Sequence, residues 1–352
     1  MQHEEITSLL GDQAEYLLQH VCLKIPKDML TTPSGDHVQK VFTQSDRSAA
    51  VQKNLDRLYK TGRLANTGYL SIFPVDQGIE HTAAYSFYEN PLFFDPEMVL
   101  KMAHEGGCNG VASTLGVLGL VAKKYADTVP FILKVNHNEL LTYPTKHDQV
   151  VFASVRQAQE MGAAGVGATI YFGSPESDRQ LVEIARIFEA AHQVGLFTIL
   201  WCYPRNERFS MSGHDYNGAV DVTAQANHLG VTIQADIIKQ KLPNALRAFP
   251  DLNFSMRDEA MYERLLTNHP IDLVRYQVAH CYMGKIDLIN SGGEAQGESD
   301  LQEAVRTAVI NKRGGGAGLI MGRKVFKRSF EEGMQILHAV QDVYLDQQIT
   351  VA

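Results

Sequence analysis

From Gly68 onward the chain alternates short apolar runs with longer amphipathic stretches. The apolar runs fall at 69–75, 110–113, 131–135, 165–171, 197–203, 235–239, 286–290 and 318–321. They are near-continuous rather than alternating, which is the pattern of parallel strands covered on both faces. Helical signals separate them. Ser174-Pro175-Glu176 reads as a cap, a proline at the first helical position and an acid in the first turn, and the helix it opens closes at Gly195. Asp95-Pro96-Glu97 opens another helix, and 327–343 has helical periodicity. Strands alternating with helices imply βαβ units. Eight of them fit a (β/α)₈ barrel, which typically takes about 250 residues. An open doubly wound sheet is the alternative, but no GxGxxG turn follows the first strand.

The stretch before Gly68 is mixed and partly helical, with turn signals at Thr32-Pro33-Ser34-Gly35. It reads as an N-terminal extension, residues 1–65, packed on the outside of a barrel spanning 66–352. The span 242–283 is long for one connection between strands and predicts an inserted helix or loop.

Composition narrows the function. Of 352 residues, 45% are hydrophobic and 20% charged, and the formal net charge is -8. An acidic chain without a Lys/Arg stripe argues against nucleic acid as a partner. No apolar run approaches the roughly 20 residues of a membrane helix, and the acidic first ten residues do not read as a secretory signal. Cys22, Cys108, Cys202 and Cys281 lie far apart and form no CxxC pair, which suits free thiols in a reducing cytoplasm.

Barrel chemistry sits at the carboxyl ends of the strands. Lys239 stands at such an end, in the apolar run 235–239. Alternation puts Lys239 and Lys241 on one face, where mutual repulsion and an apolar wall would lower the pKa of each amine. A neutral amine attacks carbonyls and forms Schiff bases. An ion pair with Asp236, or two lysines reaching solvent, is the other reading. Trp201 and Tyr203 share a face of the fifth run, as acid/base and water-excluding groups or as packing aromatics. Asp76 ends the first run; it could polarise a hydroxyl, steady the lysine or simply cap a turn. Lys134 ends the third run and Arg205 follows the fifth. Ser291-Gly292-Gly293 and Gly322-Arg323 follow the seventh and eighth, the place where barrels often hold a phosphate. Gly314-Gly315-Gly316 lies at the opposite end and reads as a structural turn. His81, His137 and His214 lie near strand ends, but no HExxH or similar close pair suggests a catalytic metal.

Several stretches together resemble the class I fructose-bisphosphate aldolases of the archaeal type, the DhnA family, and most of all its bacterial members with an N-terminal extension. They are 68–72 running into Pro74-Val75-Asp76-Gln77-Gly78-Ile79-Glu80-His81, then 167–174, 235–241, Ile289-Asn290-Ser291-Gly292-Gly293 and Ile320-Met321-Gly322-Arg323-Lys324. The resemblance implies a (β/α)₈ barrel, an aldehyde-lyase that cleaves fructose 1,6-bisphosphate reversibly in glycolysis and gluconeogenesis, and Schiff-base chemistry without a metal or other cofactor. It places the Schiff-base lysine at Lys239, the acid/base tyrosine at Tyr203 and the first-strand aspartate at Asp76. Trp201 falls in the substrate-binding position, and Ser291, Gly292, Gly293, Gly322 and Arg323 on the phosphate loops. Lys134, Arg205 and Lys241 take the remaining polar contacts. A large homo-oligomer, such as a decamer of two rings, is implied as well. Rival readings are another Schiff-base enzyme of transaldolase-like or thiolase-like type, a metal-dependent aldolase, and a sugar-phosphate-binding protein without catalysis.

Overall fold

The computed structural model describes the whole chain except residues 143, 145, 212, 256, 257, 296 and 298. Among the described residues, eight parallel strands close into a barrel: β1 Leu70–Val75, β2 Gly110–Ser113, β3 Phe131–Lys134, β4 Gly165–Phe172, β5 Phe197–Pro204, β6 Ile237–Gln240, β7 Asp287–Ser291 and β8 Gly318–Ile320. Each strand pairs with its neighbours in sequence, and β8 returns to β1 through Leu70↔Gly318. The expected (β/α)₈ barrel is the observed architecture, and the open sheet is excluded by that closure.

Alternation along the strands sorts the core into two layers. Ile72, Ala112, Ile132, Ile199, Ile237, Ile289 and Ile320 fill the barrel interior. Phe73, Val111, Leu133, Val166, Leu200, Ile238 and Leu288 face outward against the helices.

Two helices of the N-terminal segment meet the barrel differently. Helix α1, His3–Leu10, buries Ile6 and Leu10 in the outer layer. Helix α2, Ala49–Tyr59, starts at Ser48, whose hydroxyl accepts from the Val51 N–H at 3.3 Å. Its buried face, Val51, Leu55 and Leu58, joins the interior cluster and seals the amino end of the barrel. Each such aliphatic side chain contributes about 1.5–3 kcal/mol on burial. Polar anchors surround this plug. Tyr59 donates to the Asp287 carboxylate at the start of β7. Arg47 donates from Nε to Asp236 at 2.6 Å, just before β6, and His192 lies 2.9 Å from the other oxygen.

The outer layer continues with α3 Pro96–Glu105, α4 Leu115–Tyr125, α5 Val155–Glu160, α6 Ser177–Gln193, α7 Val220–Thr232, α8 Pro270–Ala279, α9 Asp300–Gly314 and α10 Phe330–Leu345. Asp95 caps α3 with Pro96 in its first turn, as the sequence predicts. The other two helix starts move. Ser174 is not a cap: its carbonyl closes a turn with the Ser177 N–H at 3.0 Å, and α6 begins at Ser177. Helix α10 begins after Ser329, which forms a capping box with Glu332. The glycine run after α9 is structural: Gly315 ends the helix at φ 92.

Two short helices, Ala248–Asp251 and Glu259–Leu265, occupy the long connection before α8. Buried Asp221 of α7 holds both, accepting from the Ala248 and Phe249 N–H groups at 3.1 and 3.0 Å and from the Tyr262 hydroxyl at 2.8 Å. The four cysteines are free and buried. No helix among the described residues is long and apolar enough to cross a membrane.

Candidate active site

The carboxyl ends of the strands surround a pocket lined by Asp76, Lys134, Trp201, Tyr203, Lys239, Ser291, Gly292, Gly293, Gly322 and Arg323. Register explains why they meet. Thr169, Trp201 and Lys239 stand side by side on β4, β5 and β6. Alternation then puts Tyr203 one layer above Trp201 on the same inner face. The indole fits because β4 carries Gly167: a Cβ there would lie 2.7 Å from Trp201 Cζ3. Cys202, between the two aromatics, points to the outer wall, where a Cβ on Gly230 of α7 would lie 2.9 Å from its sulfur.

Lys239 is 5% exposed, and its Nζ sits 4.2 Å from the centre of the Tyr203 ring. The alternative partner, Asp236, points to the other end of the barrel and is taken by Arg47 and His192. Burial pushes the Lys239 pKa well below the ordinary lysine value, and the charges of Lys241, Lys134 and Arg323 add to the shift against the pull of Asp76. The amine is therefore available as a neutral nucleophile.

Across the pocket, Lys134 Nζ lies 3.4 Å from Asp76 Oδ2 and 5.0 Å from the Trp201 ring. Burial alone would raise the Asp76 carboxyl, but Lys134, His137 and Lys239 outweigh it and hold the group below its ordinary value. Asp76 thus stays an anion beside the amine. Neighbouring Asn136 ties β3 to β4, accepting from the Thr169 N–H at 2.7 Å and donating to the Thr169 carbonyl at 2.8 Å.

The glycine loops after β7 and β8 adjoin each other. Gly292 donates to the Ile320 carbonyl at 3.1 Å, and Gly293 takes φ +81, a conformation side chains disfavour. Gly322 opens a short helical turn, Arg323–Phe326. Arg323 reaches Glu294, a mostly exposed carboxylate, at 2.7 Å. Arg205 and Lys241 stand at the rim rather than in the pocket wall, 5.4 and 5.9 Å from the Tyr203 ring centre. Burial lowers the Lys241 pKa, with Arg205 and Arg323 adding to it.

Some neighbours carry no role in the sequence reading. Tyr171 stands opposite Tyr203 on β4, and its hydroxyl donates to Glu80 at 2.8 Å. Burial and the Glu80 charge raise its pKa, so it stays a phenol. Arg205 stacks over the ring, 5.6 Å away. His137 is buried between strand end and hairpin; burial and the Lys134 charge lower its pKa to about 4, so it is neutral at pH 7. The alternation that selects Trp201 and Tyr203 also selects Thr169 and Tyr171, and so could have found them. His81 lines the pocket, whereas His214 is exposed in a short hairpin beyond it. Among the described residues, no group of three His, Cys, Asp or Glu side chains at this mouth brings ligand atoms together.

A closed barrel with a depressed-pKa lysine at the end of β6 and adjoining glycine loops after β7 and β8 is the arrangement of a class, the Schiff-base barrel aldolases. The family model for DeoC/LacD family aldolases matches residues 70–328, and the chain belongs to that family. It is 53% identical over 347 residues, 99% of each chain, to a protein of Chlamydia muridarum described as a probable fructose-bisphosphate aldolase class 1. Identity to the Chlamydia pneumoniae counterpart is 55% over the same length. The fructose-bisphosphate aldolase class 1 of Thermoproteus tenax is 29% identical, covering 75% of this chain and 86% of that one. Among solved structures, an archaeal fructose 1,6-bisphosphate aldolase superposes with TM-score 0.63 at 26% identity, covering 82% of this chain and 99% of the other.

Proposed function

We propose that this chain is a class I fructose-1,6-bisphosphate aldolase, which cleaves its substrate reversibly to dihydroxyacetone phosphate and glyceraldehyde 3-phosphate. One observation carries the reading: the buried amine of Lys239, 4.2 Å from the Tyr203 ring, in a pocket that also holds ionised Asp76. The Chlamydia relatives, alike along 99% of their length, support the substrate.

In the cleavage direction, neutral Lys239 attacks the C2 ketone of the open-chain sugar, and the carbinolamine loses water to give an iminium. Tyr203, with Asp76 or a water, takes the proton of the C4 hydroxyl. The C3–C4 bond breaks, its electron pair moves into the iminium to form an enamine, and glyceraldehyde 3-phosphate leaves. The enamine is reprotonated at C3, and water hydrolyses the resulting iminium to release dihydroxyacetone phosphate and the free amine. The loops around Gly292, Gly293, Gly322 and Arg323 hold the C1 phosphate, and the rim cations Arg205 and Lys241 face the rest of the substrate. Lys134 pairs with Asp76 and fixes its direction. No step needs a metal, because the iminium is the electron sink.

Residues 66–352 form the catalytic unit in this reading, with 1–65 as an extension. Four free buried thiols support a reducing, cytoplasmic setting. Exposed Val150, Val151, Phe152 and Val182 support self-association into a homo-oligomer.

Borohydride reduction in the presence of dihydroxyacetone phosphate, followed by peptide mass spectrometry, tests the assignment. The expected result is one reduced adduct, on Lys239. A protein that binds the ligand without forming an adduct on any lysine would be a sugar-phosphate-binding protein instead.

A further inference from the structure

A second cluster of reactive side chains lies away from the barrel mouth. His20 and Cys22 of the N-terminal segment meet Asp272, in the first turn of α8, and their ligand atoms all lie within 4.8 Å of one another. Cys22 is 2% and Asp272 3% exposed, while the His20 side chain keeps 19%.

Two atoms of this cluster lack hydrogen-bond partners among the described residues. His20 Nε2 and Asp272 Oδ1 face each other at 3.1 Å without the alignment a ring N–H donor needs. The other oxygen, Oδ2, is taken by the Thr267 hydroxyl, which aims Oδ1 into the cluster. The His20 ring is held as well. It stacks on His269 with centroids 3.5 Å apart and 5° between planes, and Arg313 donates to the His20 carbonyl. His269 itself is committed, with Nε2 against the Tyr16 carbonyl at 3.0 Å and Nδ1 accepting from the Ile271 N–H at 3.2 Å.

We infer that His20, Cys22 and Asp272 bind one divalent transition-metal ion of the zinc type, which staples the N-terminal segment to α8. Around tetrahedral zinc, with bonds of about 2.0–2.3 Å, ligand atoms stand roughly 3.3–3.7 Å apart. The His20–Asp272 separation is 3.1 Å and all three ligand atoms lie within 4.8 Å of one another, so shifts of roughly 1 Å bring them to zinc spacing. Mixed nitrogen, sulfur and oxygen donors suit zinc, whereas magnesium and calcium take oxygen. Burial, with Asp272 beside it, pushes the Cys22 thiol up to about 12, so it becomes a thiolate only as the ion enters; the proton passes to solvent, and His20 coordinates through Nε2. Thiolate and carboxylate together neutralise the two charges of the ion. The nearby Arg275 guanidinium is bonded to the carbonyls of Gly314, Ile25, Arg313 and Ala352 and does not compete for the ligands. Water from the His20 side fills the fourth position. No residue of this cluster lines the barrel-mouth pocket, so the ion is structural and takes no part in cleavage.

Full-length protein stripped with chelator is titrated with cobalt(II), with zinc(II) as competitor. The expected result is a near-ultraviolet thiolate-to-cobalt charge-transfer band that saturates at one equivalent and is abolished by zinc. Cys22→Ser removes the band. His20→Gln, at a partly exposed position, keeps it but weakens binding by at least the roughly tenfold that loss of a supporting partner costs. Zinc raises the Tm of the unsubstituted protein and leaves that of Cys22→Ser unchanged, while both variants retain cleavage activity. Failure to bind one equivalent overturns the inference, as does a band that survives Cys22→Ser or an affinity that ignores His20→Gln.

Discussion

Lys239 is the position where reactivity and stability oppose each other. Its folded pKa lies below the unfolded value, so folding releases a proton that the unfolded chain holds. The destabilisation is absent above the unfolded pKa of about 10.4, grows as pH falls and is complete below the folded pKa. Lys239→Met, which removes the buried amine but keeps the bulk, should raise the Tm at pH 7 by about 2 °C or more. Thermal scans from pH 6 to 11 check this, and the advantage should vanish at the alkaline end. The same shift predicts the rate of adduct formation. It should fall as pH drops toward the lowered pKa and reach its plateau at a lower pH than that of an ordinary surface lysine. Tyr203→Phe separates binding the carbonyl from moving the proton: turnover should drop by about 10²–10⁴-fold while borohydride still traps the adduct. A variant that no longer forms the adduct would show that Tyr203 serves the amine rather than the C4 hydroxyl. Lys239, Tyr203 and Asp76 were legible because each is an unusual residue at the end of an apolar run. Tyr171 lay open to the same alternation, but its 2.8 Å contact with Glu80, between β4 and a loop, did not, since no local pattern announces it.

At the scale of elements, the strands were readable almost to the residue, but of the helix starts only Asp95-Pro96 was. A buried parallel strand writes an unbroken apolar run, whereas a helix start depends on which nearby hydroxyl finds an N–H. Ser174 and Ser329 are equally good caps on paper; only Ser329 has a glutamate three residues later to complete the box. Gly167 offers a test of how one strand shapes its neighbour. Gly167→Ala places a methyl carbon about where Trp201 now packs, so the indole should be pushed toward the substrate. The expected outcome is a fall of at least about tenfold in kcat/KM, a loss of about 1.4 kcal/mol, with the circular dichroism spectrum and Tm little changed. On the opposite end, Arg47 and Asp236 form a buried pair. Arg47→Ala should cost about 1–3 kcal/mol, because Asp236 loses its guanidinium donor but keeps His192 and the Thr198 N–H, and urea denaturation measures it.

For the molecule as a whole, net charge and local charge have opposite signs. The chain carries -8, yet Lys134, Lys241, Arg205 and Arg323 gather around one mouth. Clefts of this kind focus field lines and raise the encounter rate of oppositely charged ligands. Raising the ionic strength from 0.01 to 0.15 M shrinks the screening length from about 30 to about 8 Å. The kcat/KM for a bisphosphate should therefore fall several-fold over that range, and more steeply than for a monophosphate. A mean property such as net charge hides this mouth, which only the closing of the barrel assembles. The helix that seals the amino end has a further consequence, in time rather than space. Residues 49–59 leave the ribosome early, but Asp287, to which Tyr59 donates, and β8, which closes the barrel, emerge only as synthesis ends. The first-made plug must wait for the last-made strands, keeping Val51, Leu55 and Leu58 uncovered while the barrel is being built. Its earliest helices are thus the segment of this chain that most needs a chaperone, and the last to find their place.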